Sequence, residues 1–220
     1  KHYGIQRLQV AYVFVFYSIM TLYWTTAKDF IQHFEFIKQG HNRESKRDQW
    51  KSLAGIIFWK LIYYAYIIVL PMLVLHLSFL QVMIGFISLH AVAGLVLSII
   101  FQLAHVIEDT TFPNPDEKGN IENEWAIHQL ETTADFAKNN PIITFYVGGL
   151  NYQAIHHLFP RICHVHYPEI APIVEQTAKE FGVTYLANET MTKAFVSHIR
   201  VLSKLGRKET TFMAIANSMG

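Results

Sequence analysis

The stretch NYQAIHHLFP, residues 151–160, sets two histidines side by side behind a glutamine. On a helix, Gln153 and His157 share a face, and Gln153 also neighbours His156. His156 and His157 diverge by about 100° around the axis. Such a pair does not easily grip one ion from one helix, but it can serve two ions, one each. The plainer alternative is two polar residues at a helix end. The flanks GGLNYQ and LFP, downstream of long apolar runs, weigh against it. His105, in FQLAHVIED, closes one of those runs and can reach just beyond a membrane surface, where it either ligates or simply sees headgroups. Glu108, about a turn further on, is placed to orient His105 or to ligate directly.

The elements that must position these groups follow from composition. The chain is 51% hydrophobic and 14% aromatic, with only 16% charged residues, against about 25% charged in ordinary soluble proteins. The apolar excess lies mostly in the first half, which indicates membrane segments. A net charge of +1 gives no electrostatic footprint for nucleic acid. The single cysteine, Cys163, excludes an intrachain disulfide framework and a cysteine-built zinc or iron–sulfur site. Twelve histidines point instead to nitrogen ligation.

Val10 to Trp24 is apolar and aromatic, but at fifteen residues it falls short of the roughly twenty needed to cross a bilayer. It is expected to lie in the interface, to enter partway, or to complete a helix whose start is missing. Phe30, Phe34 and Ile37 then mark an amphipathic helix, broken at Gly40 and Asn42 and followed by the basic cluster Arg43, Lys46, Arg47 and Lys51. Leu53 to Leu75 is long enough to span, with Lys60 expected to carry its charge back to the headgroups. Trp50, Trp59, Tyr63 and Tyr64 suit an aromatic belt, and Pro71 is tolerable where neighbours satisfy the freed carbonyl. His76, Leu77 and Ser78 allow only a tight turn. Phe79 to Leu103 is a second, uncharged span, in which Gly85, Ser88, Ala91, Ala93 and Gly94 permit close helix approach. Basic residues flank this hairpin but are absent from its turn, so both flanks are expected in the cytosol. The expected architecture is an all-α integral membrane protein, a transmembrane helical hairpin plus a helical cytosolic cap. Its parts are an interfacial segment (1–52), two transmembrane helices (53–105), the cap with the QxxHH box (106–205) and a loose tail (206–220).

Within the cap, DTTFPNPDEKGN reads as a loop. NEWAIHQLETTADFA has helical spacing through Trp125, Ile127, Leu130 and Ala134, and Pro141 marks a boundary. Tyr167 to Phe181 reads as a helix stopped by Gly182, and Asn188 to Leu205 as another. His164 and His166, at strand-like spacing, read as packing or capping residues. His90, near mid-span, reads as a helix–helix hydrogen bond. His76 belongs to the outer turn, and His2, His33, His41 and His198 read as surface or interface residues.

The pieces Asn151-Tyr152-Gln153, His156 to Pro160, Gln102 to His105, and Trp125 with His128-Gln129 and Thr132-Thr133 together resemble membrane fatty acid desaturases. The similarity is to the C-terminal part of the front-end, linoleoyl-CoA desaturase-like group, over about residues 7 to 200. In that group the third histidine box begins with glutamine, as at Gln153. Ala154-Ile155 departs from a frequent acidic residue, at positions that are not ligands. The resemblance implies a di-iron centre with His105, His156 and His157 as ligands. Gln153 would be a weak donor, and Glu108, His128 and Asn151 outer partners. It further implies O₂-dependent insertion of a cis double bond into a fatty acyl substrate, acyl-CoA or lipid-linked. Electrons would come from an external or upstream donor, a b-type cytochrome or a ferredoxin, in a bacterial inner membrane or endoplasmic reticulum. The HxxxH and HxxHH spacings of the family's first two boxes do not occur here. They are expected upstream of Lys1, which leaves this chain inactive alone. The rival readings are a related lipid hydroxylase or sphingolipid desaturase and, in another class, a non-catalytic membrane hairpin.

Overall fold

The structure is a computed structural model that describes residues 4–40, 45–121 and 123–207. His2, His41, Asn42, Arg43 and nearly all of the expected tail lie outside the described residues. Two compact units divide the chain, residues 14–98 forming one and residues 1–13 with 99–220 the other.

Three long helices supply the first unit. Helix α1 runs Gly4–Lys38, α2 Lys46–Val74 and α3 Phe79–His105, and all three are long and apolar enough to cross a membrane. The expectation of only two such helices is thereby corrected. Val10 to Trp24 is short, but the helix around it runs on at both ends, through a π turn at Trp24–Lys28 into Asp29–Lys38. Helix α2 starts where the Ser45 side chain accepts from the Asp48 amide at 3.3 Å, an N-cap that meets a donor the helix cannot satisfy itself. A second π turn, Ala65–Val69, precedes Pro71. Proline offers no amide and its ring crowds the carbonyl four residues back, and the wider turn relieves that crowding.

Polar groups in this unit find partners across helices. His90 meets the Tyr63 hydroxyl at 2.8 Å and Thr21 Oγ1 at 3.2 Å, while Thr21 donates to the His90 carbonyl at 2.8 Å. The expected helix–helix bond of His90 is therefore present. Lys60 behaves differently from expectation. Its Nζ lies 2.9 Å from Asp29 Oδ2 and 2.6 Å from the Thr25 carbonyl, so the charge is paired within the unit. Gly94 packs on α1 so closely that a Cβ there would stand 2.6 Å from the Ser18 carbonyl oxygen. With Tyr17 and Ser18 beside Gly94 and Ser98, and Thr21 beside His90, α1 runs antiparallel to α3.

The second unit gathers short elements on the last turns of α3. In order they are α4 (Trp125–Thr132), β1 (Asp135–Phe136), α5 (Pro141–Tyr146), α6 (Gln153–Leu158), α7 (Tyr167–Glu180), β2 (Ala187–Asn188) and α8 (Met191–Leu205). Strands β1 and β2 pair in parallel, Asp135 with Ala187 and Phe136 with Asn188, so the cap is not wholly helical. The helix expected through Ala134 stops at Thr132 because Thr133 is extended. From there Ala134 donates to the Ala104 carbonyl and Phe136 to that of Asn151. One core joins Ile100, Leu103 and Ala104 of α3 to Phe136, Ala137 and Ala194. A second joins Tyr152 and Ile155 to Tyr167 and Ala171. Gly182, with φ of 70°, ends α7 as expected. His164–His166 is a 3-10 turn, not strand-like. His33 and His198, read as surface or interface residues, are buried, which excludes the surface alternative; His198 Nδ1 lies 2.8 Å from the Val106 carbonyl.

Candidate metal centre

Five elements of the second unit bring the candidate ligands together. The turn at Gly148 and Gly149, with φ of 59° and 75°, leads into α6. These backbone angles suit glycine, and at Gly149 a Cβ would stand 2.7 Å from His164 Cβ. Asn151 then locks the turn, its amide donating to Thr144 Oγ1 at 3.0 Å. Beneath α6, buried Asp135 accepts from the Ala154 amide at 2.9 Å and from the Tyr185 hydroxyl. Burial pushes the Asp135 carboxyl up to about 6, opposed by those two hydrogen bonds. The first turn of α6 is thus held from below, leaving Gln153, His156 and His157 to project from it.

The rings of His105 and His157 lie 5.0 Å apart between centroids, and those of His156 and His157 6.1 Å apart. Each imidazole is engaged at Nδ1 by an oxygen. His157 meets Gln129 Oε1 at 2.7 Å, His156 meets the Tyr167 hydroxyl at 3.1 Å, and His105 meets the Thr132 carbonyl at 3.5 Å. The carbonyl and amide oxygens only accept, so His105 and His157 carry their proton on Nδ1 and keep the Nε2 lone pair for a ligand. Gln153 Nε2 lies 3.2 Å from His157 Nε2. Burial, then the neighbouring His105 and His156, pushes the His157 imidazole down to about 4. At neutral pH it is uncharged, the form that binds metals.

Of the residues expected at the site, His105, Gln153, His156 and His157 converge. Glu108 goes elsewhere: its carboxylate meets Lys204 at 2.8 Å and Arg200 at 3.3 Å, which holds it below the usual carboxylate range. Asn151 braces the turn rather than a ligand. His128 Nδ1 is buried without a protein partner, as is Gln153 Oε1. Gln129, Thr132 and Tyr167 are the contacts that local pattern did not mark. Gln129 did stand within the segment that carries the resemblance, beside His128.

These groups fit a nitrogen-ligated metal in part. The donors are imidazoles engaged at Nδ1, with the Nδ1 proton fixed on His105 and His157, and the buried Gln153 oxygen is an acceptor in want of a partner. Among the described residues no group of three or more His, Cys, Asp or Glu is arranged to hold a metal ion. The constellation does not close around an ion.

The chain is also similar to known proteins. The family profile described as Fatty acid desaturase matches residues 2–188. An sn-1 linoleoyl-lipid 6-desaturase of Arthrospira platensis is 41% identical over 90% of this chain and 53% of its own length. A protein of the same name from Synechocystis sp. is 39% identical over 94% of this chain and 57% of its own length. Delta(5) fatty acid desaturase A of Dictyostelium discoideum is 36% identical over 91% and 43%. The chain spans about half the length of the curated relatives it matches. No solved structure matches.

Proposed function

Because this chain belongs to the fatty acid desaturase family, we propose that it supplies one side of a di-iron centre. The whole enzyme would introduce a cis double bond into a lipid acyl chain. The observation that carries this reading is the convergence of His105, His156 and His157, each engaged at Nδ1. Two irons want about five or six ligands each, so the remaining ligands come from other parts of the whole protein. When bound, the irons supply the oxidising chemistry that removes hydrogen from adjacent methylenes, using O₂ and two electrons. The chain's own work is positional. His105, His156 and His157 offer imidazole nitrogens, Gln153 an amide, and Asp135 holds the helix that carries three of these four. Electrons come from a separate or fused donor, a b-type cytochrome or a ferredoxin.

The names of the cyanobacterial relatives specify a linoleoyl-lipid, and by similarity a lipid-linked acyl chain is the favoured substrate here. The basic residues that flank the α2–α3 hairpin and are absent from its turn favour a topology with both flanks in the cytosol, in a bacterial inner membrane or endoplasmic reticulum. The first part of α1 runs antiparallel to α3, with Ser18 beside Gly94 and Thr21 beside His90, whereas beyond the π turn Thr25 and Asp29 meet Tyr64 and Lys60, so that this part runs antiparallel to α2. On this reading α1 enters the bilayer, bends at its π turn and returns without traversing it.

Expression of the full-length enzyme in a host supplied with defined acyl lipids tests the reaction. A new cis double bond is the expected product by mass spectrometry. An oxygenated acyl chain without an olefin would show a hydroxylase instead, and unchanged lipids with no bound iron would show a non-catalytic hairpin.

A further inference from the structure

We propose that Gln129 is a positioning residue for the metal centre, setting which nitrogen of His157 faces the iron; the inference rests on the di-iron reading above. Helix α4 delivers Gln129 Oε1 to within 2.7 Å of His157 Nδ1, the shortest of the three outer contacts. An amide oxygen can only accept, so it fixes the proton on Nδ1 and the lone pair on Nε2. The opposite edge of the ring agrees, because the Gln153 amide lies 3.2 Å from Nε2 and can donate to it. Gln129 therefore holds His157 in one tautomer and one ring orientation from the Nδ1 side, and the Gln153 amide would give up Nε2 where a metal takes that lone pair. Thr132, on the same face of α4 three residues later, holds His105 through its carbonyl. One short helix thus braces the two rings that stand 5.0 Å apart.

The residue type also matters. A carboxamide accepts the Nδ1 proton without bringing a charge, whereas a carboxylate in its place would make the imidazole a stronger donor. Gln129 would then set the electron density on its iron as well as the ring's direction.

The test uses the full-length enzyme, with Gln129→Leu and Gln129→Glu compared to wild type. Circular dichroism checks folding, and iron titration, Mössbauer spectra and reduction potential report the centre. Gln129→Leu is expected to weaken iron binding roughly 10- to 100-fold. Gln129→Glu, which keeps an acceptor at Nδ1, is expected to retain iron and lower the reduction potential. Wild-type affinity and spectra in Gln129→Leu would overturn the inference. So would loss of iron in a folded Gln129→Glu as severe as in the leucine variant. A wild-type enzyme that binds no iron overturns the di-iron reading and the inference together.

Discussion

His105, at the last turn of α3, and His157, on α6, stand with their rings 5.0 Å apart although a loop, two helices and a strand separate them in the chain. Their juxtaposition predicts that replacing either with alanine in the full-length enzyme reduces bound iron. His164 and His166 are exposed, and His166 Nδ1 lies 3.8 Å from Glu169 Oε2. His166→Ala is expected to leave iron content unchanged. Equal loss from both kinds of variant, measured by elemental analysis, would contradict the assignment.

Asp135 predicts a pH dependence of stability. Its folded pKa of about 6 lies above the ordinary aspartate value of roughly 3.9, chiefly through burial. The folded state therefore holds this proton more tightly than the unfolded state. The benefit is complete below about pH 4 and is lost as pH rises to about 6, a term of roughly 3 kcal/mol. Asp135→Asn should flatten this slope between pH 4 and 6 and keep an oxygen for the Ala154 amide. Asp135→Leu strands that amide and the Tyr185 hydroxyl, at a cost of about 1–3 kcal/mol each. Thermal melts across the range check both, and an unchanged slope in the asparagine variant would contradict the assignment.

Two glycines of α3 should respond oppositely to alanine. A Cβ at Gly94 would meet the Ser18 carbonyl oxygen at 2.6 Å, whereas one at Gly85 meets nothing within 4 Å. Gly94→Ala is expected to lower the melting temperature by forcing α1 away. Gly85→Ala is expected to be neutral or to stabilise by up to about 1 kcal/mol, the cost of glycine in a helix. Similar melting temperatures for the two variants would argue against close α1–α3 packing.

His90 and Tyr63, 2.8 Å apart, give a graded expectation for the same unit. Hydrogen bonds between membrane helices average about 0.6 kcal/mol. Tyr63→Phe should cost an amount of that order. His90→Leu should cost more, because it also removes the Thr21 contact at 3.2 Å. A double-mutant cycle on unfolding in detergent reads the coupling, which should be absent if the pair does not interact.

Local pattern carried part of this structure. The uncharged run of α3, the stop at Gly182, the boundary at Pro141 and the helix–helix role of His90 all follow from residue type and period. So did the suspicion about His156 and His157, because adjacent histidines diverge on any helix. What was missed depends on contacts distant in sequence. Lys60 looked bound for the headgroups because Asp29 lies on another helix. Glu108 looked free for His105 because Arg200 and Lys204 are supplied by α8. Whether His198 was a surface or an interface residue stayed open because the Val106 carbonyl that it meets lies just past the end of α3. The two-residue pairing of β1 with β2 is too short to leave a period in the sequence. The length of α1 escaped because its π turn carries the helix past an apparently complete apolar run.

The most direct test of the central claim is iron stoichiometry in the purified full-length enzyme, wild type against a His105→Ala, His157→Ala double variant. The account predicts about two irons per wild-type chain, the count implied by a di-iron centre, and marked loss in the double variant with its helical content retained. Undiminished iron in the double variant would contradict the assignment of these histidines to the metal centre.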